Sequence, residues 1–370
     1  MSKIEVLHLI DHAGIGGVNP LLENLSHHGS AQFGLHVATL GPTGPLAGRL
    51  RPGTEFLALG ATSRSGYGRA LGALVRYLRE RHIRLVQTHL FESSLVGVAA
   101  ARLAGIPAVV TAHHCIELLS TPSRVWRTAE RFNLRWLASS ISAPSARVAA
   151  TLTDAYSLPP GKATIVPYWF DLARWPVPRA RRQELRSQLA VGDALVLVAA
   201  GRYSWIKNYP MMLRALAATR HRERALLLIA GQGPDQAAVA ALVRELGLER
   251  NVRMLGLWAD MPGLFAAADY FVHASDAECF SQAVVEAAAS GLPLLCTDVG
   301  GAHELIEATG GGLLSPPRDL ERFRAMLDDA LAWTEEERLA RGAAAQRASQ
   351  YYNLEDGVAR QEAQVLRWIG

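Results

Sequence analysis

Two glutamates, Glu278 and Glu286, stand eight positions apart in the stretch SDAECFSQAVVEAAASGLP, where a loop runs into an alanine-rich helix. We expect this helix to begin after Cys279 or Phe280, which would leave its first backbone N–H groups open to an anion. Carboxylates at such a place can accept hydrogen bonds from the hydroxyl groups of a sugar or a ribose. The alternative is that Glu278 caps the helix and Glu286 is a solvated surface charge.

Two cations, Arg202 and Lys207, lie in the segment GRYSWIKN, directly after the strand-like run ALVLVAA. In parallel α/β sheets the loop between a strand and the next helix borders the ligand crevice, so we predict that both side chains face it. A diphosphate bound there would receive charge-assisted hydrogen bonds from both. The alternative is that Arg202 pairs with a local carboxylate and that Lys207 is a solvated surface lysine.

The glycine-rich turn DHAGIGGVNP follows the first strand-like run, and glycine lets a backbone approach a phosphate closely. The turn does not complete a dinucleotide fingerprint, because the third glycine position counted from Gly14 and Gly16 is Asn19. No acidic residue stands about twenty positions later to hold a ribose, since Glu23 is followed by Glu55. The segment GQGPDQ also lacks the third glycine. An oxidoreductase with a nicotinamide cofactor is therefore disfavoured.

The apolar runs predict the fold class. Runs such as HIRLVQTHL, PAVVTAHH, ALVLVAAGR, ALLLIAG and DYFVHAS alternate with helical segments, which is typical of parallel sheets with helices on both faces. A chain of 370 residues exceeds the usual size of one core, so we expect two α/β domains. The three cysteines lack CxxC spacing, so neither a disulfide framework nor a zinc site is expected. Because no run of eighteen apolar residues occurs, we expect a cytoplasmic protein, soluble or peripheral.

A segment with two prolines and a charge run, YWFDLARWPVPRARR, separates the two α/β patterns. We place the interdomain linker there, between Pro167 and Pro178. The first domain is predicted to cover residues 1–170 and the second residues 179–350. The last stretch, residues 351–370, has helical periodicity, and we expect it to pack back onto the first domain.

Positive charge is concentrated in the front of the chain. Residues 1–178 carry 17 Lys and Arg against 10 Asp and Glu, so the total of +4 leaves −3 for the remainder. In this part of the chain the stretch PSRVWRTAERFNLRWLASS predicts a basic amphipathic helix. One interpretation is that the helix binds anionic lipid headgroups or a phosphate-bearing acceptor. The other is that it is a surface helix whose apolar side is packed against the protein. No pattern indicates nucleic-acid binding. The basic face holds Arg124, Arg127, Arg131 and Arg135, and the apolar face holds Val125, Ala129, Phe132 and Trp136.

Several motifs occur together and in order: GRYSWIKN, AGQGP, NVRMLGLWADMPGLFAAADYFVHAS, the pair Glu278 and Glu286, ASGLPLLCTDVGGAHELIE and GGLLSPP. This constellation resembles glycosyltransferase family 4, over nearly all of the second domain and more loosely over the first. The resemblance implies the GT-B fold, in which two Rossmann-like doubly wound domains face a central cleft. It also implies a donor that is a nucleotide diphosphate sugar, with UDP or GDP, held mostly by the second domain.

The resemblance gives these residues roles. Glu286 would hold the donor ribose and Glu278 a hydroxyl of the transferred sugar, while Arg202 and Lys207 would hold the diphosphate. His113, at the end of a front strand, matches a histidine that contacts the sugar near its reacting carbon, and it joins Glu278, Arg202 and Lys207 in the implied catalytic set. The other implied donor contacts are the amides of Phe280, Ser281 and Gln282, the front loop at Gly16 and Gly17, and a base-binding region around Leu257 and Trp258.

The acceptor side departs from the family pattern. His114 stands where relatives often have an acidic residue, and Tyr168 and Trp169 occupy the place of a tight Asn-Gly turn. The two aromatic residues either stack on a saccharide in the acceptor cleft or pack the linker. His89, in VQTHLFESS, is a second strand-end histidine and a weaker candidate for contact with the sugar.

The resemblance and the residues together predict the reaction. The family retains anomeric configuration, and because the chain has no D-x-D pair we predict transfer without a metal ion or another cofactor. No nucleophile is evident, so we favour front-side displacement over a covalent glycosyl-enzyme. We expect a saccharide or lipid-linked acceptor in bacterial surface polysaccharide or glycoconjugate biosynthesis, at the inner face of the membrane. The alternatives are a nucleotide-sugar epimerase of the same fold and a non-catalytic nucleotide-sugar-binding protein.

Overall fold

The protein is represented by a computed structural model that describes residues 3–14, 18–113, 123–175, 179–307 and 309–370. The chain divides into two compact units. The first comprises Met1–Phe170 together with Leu354–Gly370, and the second comprises Asp171–Asn353. The division after Phe170 falls inside the segment in which the sequence placed the linker.

The described strands of the first unit form a seven-stranded parallel sheet in the order β3-β2-β1-β4-β5-β6-β7. The central strands are buried along most of their length because helices cover both faces, which is why they consist largely of Val, Leu and Ile. The strands are β1 Ile4–Ile10, β2 Phe33–Thr39, β3 Glu55–Ala58, β4 Leu85–His89, β5 Ala108–Thr111, β6 Ser140–Ala143 and β7 Ala163–Ile165.

Helices connect these strands and bury their apolar stripes against the sheet. Leu22 of the first helix, for example, packs with Ile10 and Val37 in one of the core clusters of this unit. The fourth helix continues into a π-helical turn, Asn133–Leu137. The helices described in this part of the chain are α1 Val18–His28, α2 Tyr67–Glu80, α3 Phe91–Ala104, α4 Arg124–Phe132 and α5 Ala146–Tyr156.

The second unit contains a six-stranded parallel sheet in the order β10-β9-β8-β11-β12-β13. Its core includes Leu197, Ile229 and Val272 from three neighbouring strands. The strands are β8 Leu195–Ala200, β9 Ala225–Ala230, β10 Val252–Gly256, β11 Tyr270–His273, β12 Leu294–Thr297 and β13 Gly312–Ser315. The helices are α6 Arg179–Gln188, α7 Tyr209–Ala218, α8 Gln236–Glu245, α9 Met261–Ala267, α10 Gln282–Ala289, α11 Ala302–Ile306, α12 Leu320–Leu331 and α13 Glu335–Ser349.

The C-terminal helix, α14 Leu354–Ile369, belongs to the first unit. Val365 packs with Val6, Leu85 and Val109 in that unit's core. Deeper in the sheet, Gln361 Nε2 donates to Gln87 Oε1 at 2.7 Å. The end of the chain is thereby fixed to the first sheet by both apolar and polar contacts.

In each sheet the strand order reverses beside the unit's first strand: β1 lies between β2 and β4, and β8 lies between β9 and β11. Loops at the carboxyl ends of the strands next to such a switch point form the ligand crevice of an open parallel sheet. Arg202 and Lys207 follow β8, Glu278 follows β11, and His113 follows β5. The predicted α/β class with two doubly wound sheets is confirmed.

Candidate active site

The loop after β8 brings Lys207 to the carboxyl edge of the second sheet. It lies tightly against the loop after β9, where Gly231 has φ +146° and a Cβ would collide with the carbonyl of Gly201. A 3₁₀ turn that ends at Lys207 then leads to Asn208. Asn208 has a left-handed backbone and caps α7 by accepting a hydrogen bond from the Met211 amide at 3.2 Å. The cap fixes the end of the turn that carries the lysine.

Glu278 is held at this edge by three hydrogen-bond donors. Its Oε1 accepts from Lys207 Nζ, from His273 Nε2 at 3.1 Å and from Ser275 Oγ at 2.8 Å. Both charged side chains are largely buried, since 19% of the Lys207 side chain and 14% of the Glu278 side chain are exposed. Oε2 of Glu278 accepts no hydrogen bond from the residues described. One oxygen therefore anchors the carboxylate, and the other can accept from a ligand.

Local charges keep Glu278 ionised. Burial alone would raise the pKa of its carboxyl group, but the Lys207 ammonium and the hydrogen bonds from His273 and Lys207 outweigh burial and lower that pKa far below its usual value of 4.5. Burial also lowers the pKa of His273, so this imidazole is neutral and its Nε2 carries the hydrogen that Glu278 accepts. The interpretation of Lys207 as a solvated surface lysine is wrong.

Helix α10 begins at Gln282, one to two residues later than the predicted start after Cys279 or Phe280. The reason is the N-cap residue Ser281, whose backbone is extended, with φ −96° and ψ 111°. The alternative in which Glu278 caps this helix is therefore wrong. The amides of Ser281 and Gln282 bond to no residue in the described ranges, as expected for the start of a helix, and they remain donors for an anion.

Glu286 lies a little more than one turn inside α10 and is half-buried. Gln282 Nε2 donates to its Oε1 at 2.8 Å. Burial raises the pKa of its carboxyl group, against the opposing effects of the Gln282 hydrogen bond and the positive charge of Arg174. The half-burial and the Gln282 hydrogen bond distinguish Glu286 from the fully solvated surface charge of the alternative interpretation.

Arg202 lies five residues before Lys207, and its side chain is exposed. In the part of the chain that the structure describes, its guanidinium forms no ion pair or hydrogen bond. Arg202 therefore has no carboxylate partner among the described residues, contrary to the alternative interpretation. An exposed guanidinium without a partner in the described ranges can bind an anionic group on a ligand.

The predicted base-binding residues follow the edge strand β10. Leu257 is exposed, and Trp258 is half-buried with its Nε1 donating to the carbonyl of Asp260 at 3.1 Å. Because β10 is two strands away from β8, these residues lie roughly 10 Å to the side of the β8 loop.

In the first unit His113 belongs to a hydrogen-bonded chain of three histidines and one tyrosine. Nδ1 of His8 is 2.9 Å from Nε2 of His89. Nδ1 of His89 is 3.1 Å from Nε2 of His113, and Nδ1 of His113 is 2.8 Å from the hydroxyl of Tyr168. His89 is fully buried, so the prediction that it could contact a sugar directly is wrong.

The two aromatic residues of the linker pack inside the first unit. Trp169 is buried, and a Cβ at Gly357 of α14 would collide with its side chain. Tyr168 is also buried, with its ring stacked on His113 at 4.8 Å between centroids. Of the two interpretations, packing is right and stacking on a saccharide is wrong, because both side chains are buried.

A carboxylate cluster stands at the end of β1. Asp11 Oδ1 accepts from the Ser93 amide at 2.6 Å, and burial, helped by the nearby Glu92, raises the pKa of Asp11 to about 6 despite its hydrogen bonds with Ser93. Glu92 in turn pairs with Arg64 at 3.2 Å. The predicted contacts at Gly16 and Gly17, and the departure at His114, lie outside the described residues.

The basic helix α4 and the π-helical turn that follows it expose three of the apolar residues that were candidates for packing. The exposed fractions are 73% for Val125, 56% for Phe132 and 62% for Trp136. The interpretation of a surface helix with a packed apolar side is therefore wrong for these three residues. No helix of the described segments is both long enough and apolar enough to cross a bilayer.

Sequence reasoning missed the residues that hold the site residues in place. His273 and Ser275 anchor Glu278, and His8 begins the histidine chain. A signal existed for the two histidines, because a polar residue in an otherwise apolar buried strand needs a hydrogen-bond partner. The sequence did not indicate which partner each of them would find.

The fold and this site define the protein as a two-domain α/β glycosyltransferase of GT-B type. A family model described as Glycosyltransferase Family 4 matches residues 15–174, and one described as Glycosyl transferases group 1 matches residues 194–332. The chain belongs to glycosyltransferase family 4.

Individual relatives agree with this assignment. The D-inositol 3-phosphate glycosyltransferase of Kineococcus radiotolerans is 30% identical over 303 residues, which are 73% of this chain and 68% of that enzyme. The UDP-Gal:alpha-D-GlcNAc-diphosphoundecaprenol alpha-1,3-galactosyltransferase of Escherichia coli is 25% identical over 267 residues, 69% of this chain and 68% of that enzyme. The crystal structure of Anabaena Alr3699/HepE in complex with UDP superposes with a TM-score of 0.84 at 22% identity, covering 98% of this chain and 99% of that one.

Proposed function

We propose that this glycosyltransferase moves a sugar from a nucleotide diphosphate sugar to a saccharide or lipid-linked acceptor, with retention of anomeric configuration and without a metal ion. The observation that carries the proposal is the buried pair of Lys207 and Glu278 at the carboxyl edge of the second sheet. Within the pair, Oε2 of Glu278 can accept a hydrogen bond from a ligand hydroxyl, and two of the three N–H groups of the Lys207 ammonium can donate to a ligand phosphate.

The donor diphosphate would bind between Lys207, Arg202 and the start of α10. Lys207 uses one N–H on Glu278, the guanidinium of Arg202 has no described partner, and the amides of Ser281 and Gln282 are open. Two cations and a helix N-terminus can offset the charge that develops on a leaving diphosphate, which is the task of a metal ion in other sites.

The rest of the donor would extend to either side of the diphosphate. Oε2 of Glu278 would accept from a hydroxyl of the transferred sugar, and Glu286 from the ribose. Leu257 and Trp258, two strands away from the β8 loop, would border the base. This extent suits a UDP-sized nucleotide sugar better than a single phosphate.

The names of similar proteins support this donor and acceptor class. Anabaena Alr3699/HepE was crystallised with UDP and with UDP-glucose. The Escherichia coli relative uses UDP-Gal and a diphosphoundecaprenol-linked sugar. We extend to this chain a UDP-sugar donor and a role in surface polysaccharide or glycoconjugate biosynthesis.

In the transfer step, the bond between the anomeric carbon and the leaving phosphate oxygen breaks as the acceptor oxygen bonds to the same face of that carbon. The acceptor's hydroxyl proton passes to the leaving phosphate oxygen, so charge and protons balance without an enzymic base. Arg202 and Lys207 stabilise the charge of the departing nucleoside diphosphate. Glu278, ionised and anchored through Oε1, orients the sugar.

We further propose that α4 rests on an anionic membrane surface. The exposed side chains of Val125 and Phe132 lie on α4 with Arg124, Arg127 and Arg131, and Trp136 and Arg135 lie in the π-helical turn that continues this helix. Exposed apolar residues beside arginines are typical of interfacial helices, which bury the former between lipid headgroups and pair the latter with phosphates. A lipid-linked acceptor would be reached from such a position.

The central experiment is a thermal-shift screen of the protein with UDP-, GDP- and ADP-sugars, because a bound donor raises the melting temperature by mass action. We expect the largest shift from a UDP-sugar, undiminished by EDTA. Transfer to an acceptor is then followed by NMR of the product, which reads anomeric configuration directly. Conversion of the nucleotide sugar alone into its epimer would establish the epimerase instead, and binding without transfer or hydrolysis would establish a non-catalytic protein.

A further inference from the structure

The hydrogen-bonded chain of His8, His89, His113 and Tyr168 has a property that its separate pairs lack. It runs across the carboxyl half of the first sheet, from β1 through the ends of β4 and β5 to the segment after β7. The links measure 2.9, 3.1 and 2.8 Å, and both ring nitrogens of His89 and both of His113 take part in them. A neutral imidazole has one N–H and one bare nitrogen. With three neutral rings, all three hydrogen bonds must point in the same direction along the chain.

Two directions are possible in principle, and the tyrosine selects between them. The hydroxyl of a phenol is a stronger donor than the N–H of a neutral imidazole, so the link between Tyr168 and His113 favours donation from the hydroxyl to Nδ1. His113 then carries its hydrogen on Nε2 and donates it to Nδ1 of His89. His89 likewise donates from Nε2 to Nδ1 of His8.

We propose that Tyr168, His89 and His8 are positioning residues that hold His113 as a neutral ring of fixed orientation, with the hydrogen on Nε2. The inference rests on the proposed function and on the family resemblance, which implies that His113 contacts the transferred sugar. The ring of Tyr168 adds a second restraint, because it stacks on His113 with an interplanar angle of 27°. The links through His89 and Tyr168 occupy both nitrogens of His113, so His113 does not take the acceptor's proton.

The burial of the chain explains why its direction is stable. His8 and His89 are 2% and 0% exposed, so water does not compete for their nitrogens. Reversing one hydrogen bond would leave two donors or two acceptors facing each other at a neighbouring link. The direction set by Tyr168 is therefore transmitted to His8, two links away from His113.

The test uses the variant Tyr168→Phe, which keeps the stacked ring and removes only the hydroxyl. A matched control is Tyr77→Phe, because the Tyr77 hydroxyl makes an equivalent hydrogen bond to Nδ1 of His36 at 2.8 Å, on the first sheet but outside the chain. Both proteins are labelled with ¹⁵N-histidine, and two-bond ¹⁵N–¹H correlation spectra report which nitrogen of each ring is protonated. His113→Asn and His89→Gln assign the signals.

In the unliganded wild type we expect His113 to be protonated at Nε2, with Nδ1 bare. Tyr168→Phe should convert this signal to a mixture of the two His113 tautomers. It should also lower kcat about tenfold, which corresponds to the free energy of one hydrogen bond, with little change in the KM for the donor. Tyr77→Phe should change only His36. The variant His8→Asn, which keeps an acceptor for His89, should retain more activity than His8→Leu.

Each contrary result overturns the inference. A wild-type His113 protonated at Nδ1 refutes the direction of the chain. A Tyr168→Phe protein with an unchanged tautomer, or with a changed tautomer and wild-type kcat, refutes the positioning role. The tautomer measurement needs no substrate, so a wild-type protein that transfers no sugar would count against the proposed function while the spectra still decide the chain.

Discussion

Replacing Lys207 with methionine tests the centre of the candidate site, because the change removes the ammonium and keeps most of the side-chain volume. The Glu278 carboxylate then loses its only ion-pair partner within the described residues while staying largely buried. Removing one member of a buried ion pair typically costs about 3–5 kcal/mol. Here Ser275 and His273 still donate to Oε1, so we expect Lys207→Met to lower the free energy of unfolding by about 2–3 kcal/mol.

The pH dependence follows from the sign of the pKa shift. In the wild type the folded-state pKa of Glu278 is lowered, so its stabilising contribution is present above the usual value of 4.5 and is lost as pH falls below it. Without Lys207, burial dominates and raises that pKa. The variant's folded state then binds a proton more readily than its unfolded state. The deficit of Lys207→Met should therefore be larger at pH 7.5 than at pH 5, where a protonated Glu278 no longer needs a cation.

The measurement is urea unfolding of the wild type, Lys207→Met, Glu278→Gln and the double variant at both pH values, with hydrogen exchange of β11 as a local readout. The double variant should recover at least about 1 kcal/mol relative to the sum of the single changes. Arg81→Gln is the control, because its ion pair with Glu55 at 3.5 Å, in which both side chains are about half exposed, should be worth less than about 1 kcal/mol. A Lys207→Met deficit no larger than that of the control, at both pH values, would refute the buried pair.

Three further predictions concern other parts of the molecule. Arg202→Ala should weaken binding of the nucleotide sugar about tenfold in thermal-shift titrations without changing the unliganded melting temperature, whereas Arg214→Ala, on the exposed side of α7, should change neither. Burial raises the pKa of Asp11 to about 6 from 3.8, so the wild type loses stability as pH rises between these values. The variant Asp11→Asn should therefore be more stable than the wild type at pH 7.5, by on the order of 1–3 kcal/mol. Equal stability of the two proteins at both pH 4 and pH 7.5 would contradict the shift. Trp136→Ser should reduce co-sedimentation with anionic vesicles at least about threefold, whereas Trp205→Ser, an exposed tryptophan of the second unit, should not; equal binding of both would exclude α4 as the contact.

The sequence predicted the sheets better than the site. Runs such as ALVLVAA and ALLLIAG became β8 and β9 because a buried parallel strand tolerates little besides apolar residues. The predicted start of α10 is one to two residues early, because the extended backbone of the N-cap residue Ser281 delays the first helical residue to Gln282. The exposure of Trp136 was missed for another reason: periodicity tells which residues share a face of a helix, but not whether anything covers that face.

A single sequence does not identify which residues distant along the chain become hydrogen-bond partners. His8 and His89 are 81 positions apart, and they meet because β1 and β4 are neighbours in a sheet whose order does not follow the sequence. The sequence shows Tyr168 as an aromatic residue in place of a tight turn, and it leaves stacking on a ligand and packing as alternatives. The structure shows instead that its hydroxyl and its ring face are both used on His113.

The state of Glu278 bears on how a retaining transfer can proceed. A carboxylate that attacks an anomeric carbon must release its solvating hydrogen bonds as its charge moves into the new covalent bond. Oε1 of Glu278 accepts from three donors, and Lys207 holds its pKa far below the usual value, so the negative charge is stabilised where it is. Those same contacts make Glu278 a weak nucleophile and a rigid acceptor for a hydroxyl. An oxygen fixed in this way distinguishes one sugar orientation from another, which is what a front-side displacement needs when the leaving phosphate itself accepts the proton.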